Sequence, residues 1–585
     1  MKKAVKWTLT GLISLIVLTI IVAFALNSWL YYQARQVLAG QPTGVIAKNG
    51  MVVSAHELAS KVGVDILKKG GNAYDATIAV QYALAVVYPT AGNIGGGGFL
   101  VYRTKDGTAG SLDFREKAPG KAHRDMYLDE QGNVITNLSL QGHLAAGVPG
   151  TVEGMFAIYE KLGSLPFADL IQPSIDLSRN GVVLTEKQAN DYNRYREKFL
   201  KLNTHRPYVV KEEPWKAGEV IYHPELADTL ERIRNLGRDG FYKGKTADLI
   251  VKEMQAGNGI ITKQDLEDYR SVWRDPIIGT YKDYEVISMP PPSSGGIALL
   301  QLLKSSGHID IKQFGHNDDR AVHYMTELER RVYADRAAYL GDPDFYKVPV
   351  AALIEDSYLK KRMSTIDSDQ KTHSKDISKG KIRIVESTET THFSIVDKWS
   401  NAAAVTTTLN GEFGAMVFVN GAGFLLNNEM DDFSAKPGVP NQFGLVGGEA
   451  NSIQPGKRML SSMTPTILTK DGRLFMVVGT PGGSTIITSV YQTILNVVEH
   501  DMSMQQAVSA KRVHSQWLPD LVIIEKGALS SMDMIQLVIK GHTPLPYPVF
   551  TRPLGMVDAI LVRPDGSYEG GADYTRGIDD TAIGY

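Results

Sequence analysis

Two strand-like runs constrain what this chain can fold into: residues 390–396 (TTHFSIV) and 402–409 (AAAVTTTL). Both are rich in β-branched and apolar residues, and Asp397-Lys398-Trp399-Ser400-Asn401 between them carries turn residues. A hairpin with an odd loop centred on Trp399 sets Thr390 opposite Thr408, since both lie nine residues from the centre. Directly opposed residues have Cβ atoms about 4.5–5.5 Å apart, so one hydroxyl would reach the other. An interior threonine is a weak nucleophile. Were the chain cut just before Thr390, that residue would gain a free α-amine of pKa about 7.7–8.0, able to accept the hydroxyl proton. Taken alone, Thr390-Thr391 reads as an ordinary strand start, and the rest of the sequence has to decide.

The N-terminus constrains topology. Lys2, Lys3 and Lys6 precede an apolar run over 9–26, closed by Trp29, Tyr31 and Tyr32. Its length is close to the roughly 20 residues that cross a bilayer, with the lysines cytoplasmic and the aromatics at the far interface. Residues 1–32 therefore read as an uncleaved membrane anchor, with the bulk of the protein outside the cytoplasm. Secretion after signal cleavage is the alternative, because Ala23-Phe24-Ala25 fits a small-x-small site. Residues 33–45 read as a polar linker. At 585 residues the chain exceeds one ordinary core, so two domains or one large layered domain are expected. Lys+Arg 62 against Asp+Glu 64 leaves a net charge of -2, no basis for nucleic-acid binding. Cysteine is absent, which removes a thiol nucleophile, disulfides and thiolate metal sites.

Beyond the linker the pattern is mixed. Ser54-Ala55-His56-Glu57 reads as a capping box opening a helix that stops at Lys68-Lys69-Gly70-Gly71. A buried helix follows over 75–86 and ends before Pro89; Gly95 to Gly98 then turn into a strand at 99–102. Further strands are expected at 475–478 and 559–562, and helices at 226–236, 321–340 and 489–500. The polar interval 364–381 reads as a mobile surface segment. Val477-Val478-Gly479-Thr480-Pro481-Gly482-Gly483-Ser484 reads as strand, glycine turn and helix start. Backbone N–H groups at such a junction can form an oxyanion hole, although an ordinary strand-to-helix turn has the same signature. The four glycines lack the Lys-Ser/Thr of a phosphate loop and read as a close packing turn. Histidines such as His392, His500 and His514 lack the paired spacing of zinc helices, so no metal or cofactor is expected.

Acidic residues in Asn427-Asn428-Glu429-Met430-Asp431-Asp432 could hold an ammonium, while Arg115 and the hydroxyls of Leu460-Ser461-Ser462-Met463 could hold a carboxylate. Together with Thr390 to Ser394, Thr408-Leu409-Asn410, 425–440 and Pro481-Gly482-Gly483, these motifs resemble the γ-glutamyltransferases, also called glutathione hydrolases. Asn93 to Phe99, Asp113-Phe114-Arg115-Glu116 and Tyr333-Ala334-Asp335-Arg336 resemble the same family. The resemblance runs in order over nearly the whole chain after about residue 45, and leaves the N-terminal helix outside it.

The resemblance implies an α/β (α+β) N-terminal-nucleophile fold, a four-layer αββα sandwich made as a proenzyme. It implies a large subunit over 46–389 and a small one over 390–585, which remain together as a heterodimer after Thr390 attacks the carbonyl of Glu389. It further implies that Thr390 attacks the γ-glutamyl amide of glutathione or a related compound and passes the acyl group to water, an amino acid or a peptide. Thr408 would hydrogen-bond the nucleophile, and the Gly482 and Gly483 amides would form the oxyanion hole. Arg115, Ser461 and Ser462 would take the α-carboxylate, and Asn410, Glu429 and Asp432 the α-ammonium. Met459 stands where many relatives have proline, Phe443 where a tyrosine is common, and 437–448 resembles a lid loop of some bacterial members. Asn410-Gly411-Glu412-Phe413 also departs from the usual residues after the asparagine. Alternatives are a poly-γ-glutamate or β-lactam-side-chain acylase of the same superfamily, or an inert membrane-tethered binding protein. The lid segment argues against a long polymer, and the full set of pocket residues against an inert scaffold.

Overall fold

A computed structural model of the protein describes residues 2–377, 390–436, 448–546, 548–549, 553–577 and 579–585. The strands of its two large sheets are, in chain order, β1 (Val45–Ala47), β2 (Met51–Ser54), β3 (Gly97–Arg103), β4 (Ala109–Asp113), β5 (Val272–Arg274), β6 (Ile277–Tyr281) and β7 (Tyr284–Ser288). They continue as β8 (Thr391–Val396), β9 (Ala402–Thr408), β10 (Thr466–Lys470), β11 (Arg473–Gly479), β12 (Asp558–Val562), β13 (Tyr568–Ala572) and β14 (Thr581–Gly584). One sheet has the order β14-β2-β8-β9-β3-β4-β5, the other β1-β13-β12-β11-β10-β7-β6. Neighbouring strands in both run antiparallel.

The hairpin over 390–408 forms with its expected register. Thr391 pairs with Thr407 and Val396 with Ala402. Asp397 organises the loop: its Oδ1 accepts from the N–H groups of Trp399 (2.8 Å) and Asn401 (3.0 Å), which lets Ser400 take φ of 66°. The hairpin is central in its sheet, with β2 on one side and β3 on the other.

Alternation along the strands creates the layers. Val53, Phe99, Val101, Val396, Ala402 and Ala404 of one sheet meet Ile287, Ile467, Val477 and Ile560 of the other, forming the inner core. The outward-facing residues of the first sheet, including Val52, Leu100, Phe393 and Val405, pack under α2 (Glu57–Lys68) and α3 (Ala73–Val87). Beyond α3 lie α4 (Phe167–Asn180) and α5 (Pro224–Leu236). On the second sheet, Val286, Leu468, Met476 and Val478 pack with α6 (Gly295–Gly307), α7 (Asp319–Tyr339) and α8 (Thr485–Val498). The result is the four-layer αββα sandwich expected from the sequence.

α1 (Lys2–Ala39) is the one helix among the described residues long and apolar enough to cross a membrane. It runs further than the sequence suggested: residues 33–39 of the expected linker are its last turns, where Arg35 Nη2 donates to the His316 carbonyl at 3.0 Å. The expected cap at Ser54 also shifts. Ser54 ends β2, paired with Phe393 and Thr581, and His56 caps α2 by accepting from the Leu58 N–H through Nδ1. Sheet pairing on both sides claims Ser54 first.

The stretch 364–377 is docked rather than mobile. Arg331, buried on α7, donates to Thr365 Oγ1 (2.8 Å) and Thr372 Oγ1 (2.9 Å), while His323 meets the Asp367 carbonyl at 2.7 Å. Buried cations on α7 need acceptors, and this segment supplies them. Residues 378–381 of that interval, Glu389, and residues 437–447 with Phe443 of the lid-like loop lie outside the described residues.

Candidate active site

β8 and β9 carry the first pair. Thr390 immediately precedes β8 and Thr408 ends β9; both are buried, with Oγ1 atoms 3.4 Å apart. Thr408 is fixed from three directions. Its Oγ1 accepts from the Asn410 N–H (2.7 Å), its carbonyl accepts from Asn93 Nδ2 (2.9 Å), and its chain segment packs against Gly96. A Cβ at Gly96 would stand 2.0 Å from the Thr408 carbonyl oxygen. The glycine run is therefore a packing turn that lets Asn93 reach the end of β9. Asn93 is held in turn by the Thr151 hydroxyl at 2.6 Å.

Arg115 enters just after β4, oriented by its own N–H donating to Asp113 Oδ1 (3.0 Å). Its guanidinium is buried and forks onto two carboxylates: Nη1 onto Glu429 and Nη2 onto Asp432. Glu116 stands 3.7 Å from Nη1. Three carboxyl groups thus surround one guanidinium. Burial pushes Glu429 well above the usual carboxylate range and raises Asp432, against the downward pull of Arg115. Glu116, fully buried with neither carboxyl oxygen hydrogen-bonded to the described residues, is pushed up to about 8 by burial.

Asn410, at φ of 76°, turns the chain after β9 and donates from Nδ2 to the Asn428 carbonyl (3.0 Å). Glu412, two residues on, is tied to Arg194 (2.6 Å) and to the Tyr195 hydroxyl. The Leu460-Ser461-Ser462 segment is held from behind: Ser461 N–H donates to the Pro292 carbonyl (2.9 Å), and Leu460 N–H to Asn451 Oδ1 (2.9 Å). Met459 packs with Met430 and Phe433, so its side chain fills an apolar pocket behind the site. After β11 the chain turns through Gly482 (φ 138°) and Gly483 (φ 55°) into α8. Positive φ at both positions favours glycine and places their backbone at a helix N-terminus.

These elements converge on one cavity of about 20 Å³. Thr390, Thr408, Arg115, Asn410, Glu429, Asp432, Ser461, Ser462 and Gly483 line it; Gly482 lies beside it in sequence without lining it. Arg336, Met463 and Ile486 line it as well. Arg336 is a functional candidate that the sequence reading did not assign. It projects from the last turn of α7, donating from Nη2 to Ser462 Oγ (3.1 Å) and from Nε to Ser294 Oγ (2.9 Å). Burial lowers its pKa to about 10, which still leaves it a cation at neutral pH. The Tyr333-Ala334-Asp335-Arg336 motif was the signal for it.

His392 and His514 are structural. His392 sits between the sheets with Nδ1 on Thr406 (2.9 Å) and Nε2 on Ser394 (3.1 Å), and burial holds it down at about 3. His514 is likewise placed between Thr488 (2.8 Å) and Gln516 (3.0 Å). Among the described residues no cluster of His, Cys, Asp or Glu could hold a metal ion.

A sequence profile described as Gamma-glutamyltranspeptidase matches residues 59–583. The chain is 47% identical over 544 residues to the glutathione hydrolase proenzyme of Escherichia coli (strain K12), covering 92% of this chain and 93% of that one. Among solved structures, cephalosporin acylase from Bacillus halodurans superposes with a TM-score of 0.81 at 25% identity, over 93% of this chain and 97% of that chain. γ-Glutamyltranspeptidase from Helicobacter pylori matches at 45% identity with a TM-score of 0.55, over 58% of this chain and 96% of that chain.

Proposed function

The chain belongs to the γ-glutamyltranspeptidase family, and from that premise we propose that it is a self-processing γ-glutamyltransferase and glutathione hydrolase acting outside the cytoplasm. The observation that carries this reading is the paired charge beside Thr390. Arg115 is clasped by Glu429 and Asp432 in a buried site. Breaking a buried pair by removing one partner strands a charge and costs about 3–5 kcal/mol. A zwitterionic glutamyl head avoids that cost: its α-carboxylate replaces the carboxylates on Arg115, and its ammonium replaces the guanidinium on Glu429 and Asp432. Ser461, Ser462 and Arg336 would complete the carboxylate site, and Asn410 the ammonium site. With both ends gripped, the γ-carbonyl is the part left to meet Thr390.

Maturation would begin with Thr390 Oγ1 attacking the Glu389 carbonyl. The Glu389–Thr390 C–N bond breaks, an ester to Oγ1 forms, and the Oγ1 proton passes to the Thr390 nitrogen, which leaves as a free α-amine. Water hydrolyses the ester, leaving a large subunit ending at Glu389 and a small one beginning at Thr390. The new amine then serves as base. It takes the Oγ1 proton as Oγ1 attacks the γ-glutamyl amide, and returns it to the leaving nitrogen. Thr408 would orient Oγ1, and the Gly482 and Gly483 amides would stabilise the oxyanion. Water or an amine acceptor resolves the γ-glutamyl ester. No cofactor enters this scheme.

The likeness to cephalosporin acylase favours a second reading, deacylation of a β-lactam side chain. A side chain without an ammonium would displace Arg115 from Glu429 and Asp432 and leave both carboxyls unpaired, so the γ-glutamyl reading ranks first. We also propose that α1 is retained as a single-pass anchor. Intact mass measurement with N-terminal sequencing tests the scheme: two chains, the smaller beginning Thr390-Thr391-His392, are expected. One uncut chain after prolonged incubation would overturn it. Comparing γ-glutamyl amides with their desamino analogues then separates the two substrate readings.

A further inference from the structure

The region where α1 leaves the body carries an apolar surface that the catalytic reading does not use. α9 (Ser531–Ile539) is capped by Ser530, whose hydroxyl accepts from the Asp533 N–H at 3.1 Å. Its Leu537 is buried against the core, as an amphipathic helix requires. The opposite face is not polar. Met532, Ile535, Val538 and Ile539 are 55%, 43%, 58% and 62% exposed and fall within about 120° of arc on a 3.6-residue helix. This face carries no charged side chain, since Asp533 turns back to the cap and Lys540 after it is buried, donating to the Ser368 carbonyl. A soluble surface rarely presents four adjacent apolar side chains of this kind.

What covers them is indicated by α1. Its apolar run is tied to the first turn of α9: Ser531 Oγ donates to the Phe24 carbonyl (3.1 Å), and Asn27 Nδ2 donates to Ser531 Oγ (3.1 Å) and the Leu529 carbonyl (3.2 Å). Phe24 and Leu26, the end of the apolar run, are exposed, as are Trp29 and Tyr32 a turn further on. Aromatic residues at that position suit the headgroup level. α9 therefore starts at the height where α1 would emerge from lipid.

We propose that the exposed face of α9 is a second membrane contact, lying in the headgroup and upper acyl region of the bilayer that α1 crosses. α1 tethers the protein; α9 fixes how the body sits on the surface. An interfacial helix buries its apolar face about 5–10 Å into that boundary. The occupant is the lipid surface itself. This inference rests on the retained-anchor reading.

The test uses the absence of cysteine from the chain, which makes single labels unambiguous. Full-length protein carrying Ile535→Cys, Ile539→Cys, Ile21→Cys on α1, or Leu236→Cys at the end of α5 is labelled with an environment-sensitive fluorophore. Each is reconstituted into vesicles of phosphatidylcholine and phosphatidylglycerol. α5 belongs to the opposite outer helical layer, so Leu236 reports bulk water. The expected result is quenching of the 535 and 539 labels by spin-labelled lipid, with iodide quenching severalfold weaker than at 236. Lipid quenching at 21 but full iodide access at 535 and 539 would overturn the α9 contact and leave the anchor standing. Shielding from iodide without lipid quenching would identify a protein cover, such as a second copy of this chain, and overturn it. Loss of the residue-21 label by N-terminal cleavage would overturn the anchor reading and this inference with it.

Discussion

Replacing Arg115 with alanine should destabilise the protein in a pH-dependent way, and the sign follows from the geometry. Arg115 is the guanidinium between Glu429 and Asp432, with Glu116 at 3.7 Å. Removing one partner of a buried ion pair costs about 3–5 kcal/mol. An unfolding entropy of about 2.1 cal/mol/K per residue over 585 residues is ~1.2 kcal/mol/K, so the Tm should fall by roughly 2–4 °C. The cost depends on whether the stranded carboxyls are ionised. Burial already raises Glu429 and Asp432, and Arg115 is the cation that pulls them down. Without it, the folded state holds protons that the unfolded chain releases. A carboxyl whose folded pKa lies above its unfolded one contributes stability below the unfolded pKa and loses it as pH rises towards the folded one. The Tm deficit of Arg115→Ala relative to the parent should therefore be wider at pH 8 than at pH 5. Adding Glu429→Gln should narrow it at pH 8. Scanning calorimetry on both proteins in the same processing state reads this out. Equal deficits at the two pH values, or none, would refute the charge-clasp argument.

Thr390→Ala should block both processing and turnover; a Thr390→Ala sample that still yields a new N-terminus at residue 390 would remove the proposed nucleophile. Thr408→Val should lower kcat about 10- to 100-fold with little change in KM, equivalent to ~1.4–2.7 kcal/mol in the transition state; an unchanged kcat would make the 3.4 Å contact with Thr390 incidental. Arg336→Met should raise KM for γ-glutamyl donors by about tenfold or more through loss of a charge-assisted contact, and a KM equal to the parent's would exclude it from the carboxylate site. His392, held at about 3 by burial, should show no ionisation in NMR titration between pH 5 and 9. The acid limb of the rate profile should track the Thr390 amine near pH 7.7–8.0.

The hairpin was legible because its determinants are local. A loop of turn residues between two strand runs fixes the register, and Asp397 enforces it from within the loop. The positions of Arg115, Glu429, Asp432, Ser461 and Ser462 around one cavity followed from motif resemblance. That they would pair with one another did not, because carboxylate and ammonium contacts were assigned as separate ends of a ligand. The shift of the helix cap from Ser54 to His56 was hidden for a different reason. Ser54 is paired with Thr581, a partner at the far end of the chain, and no local pattern reveals that competition. Arg336 was visible as part of a motif, but its reach into the pocket depends on α7 packing against the Ser294 turn. The interval 364–381 read as mobile from composition, whereas the order of its described part, 364–377, comes from Arg331, buried more than thirty residues earlier on α7.

The interleaved strand order has a consequence for how the protein would survive the proposed cleavage. In the sheet β14-β2-β8-β9-β3-β4-β5, strands from after residue 390 sit between strands from before it, and the other sheet mixes them as well. Opening the bond before Thr390, the proposed cut, would change connectivity without removing a ladder hydrogen bond among the described residues. Dilution cannot then part the two chains, because separating them means tearing the centre of one sheet and both flanks of the other. Their association would be governed by the unfolding barrier and not by mass action, so a molecule once cut would keep its own two halves for life and not trade them with its neighbours.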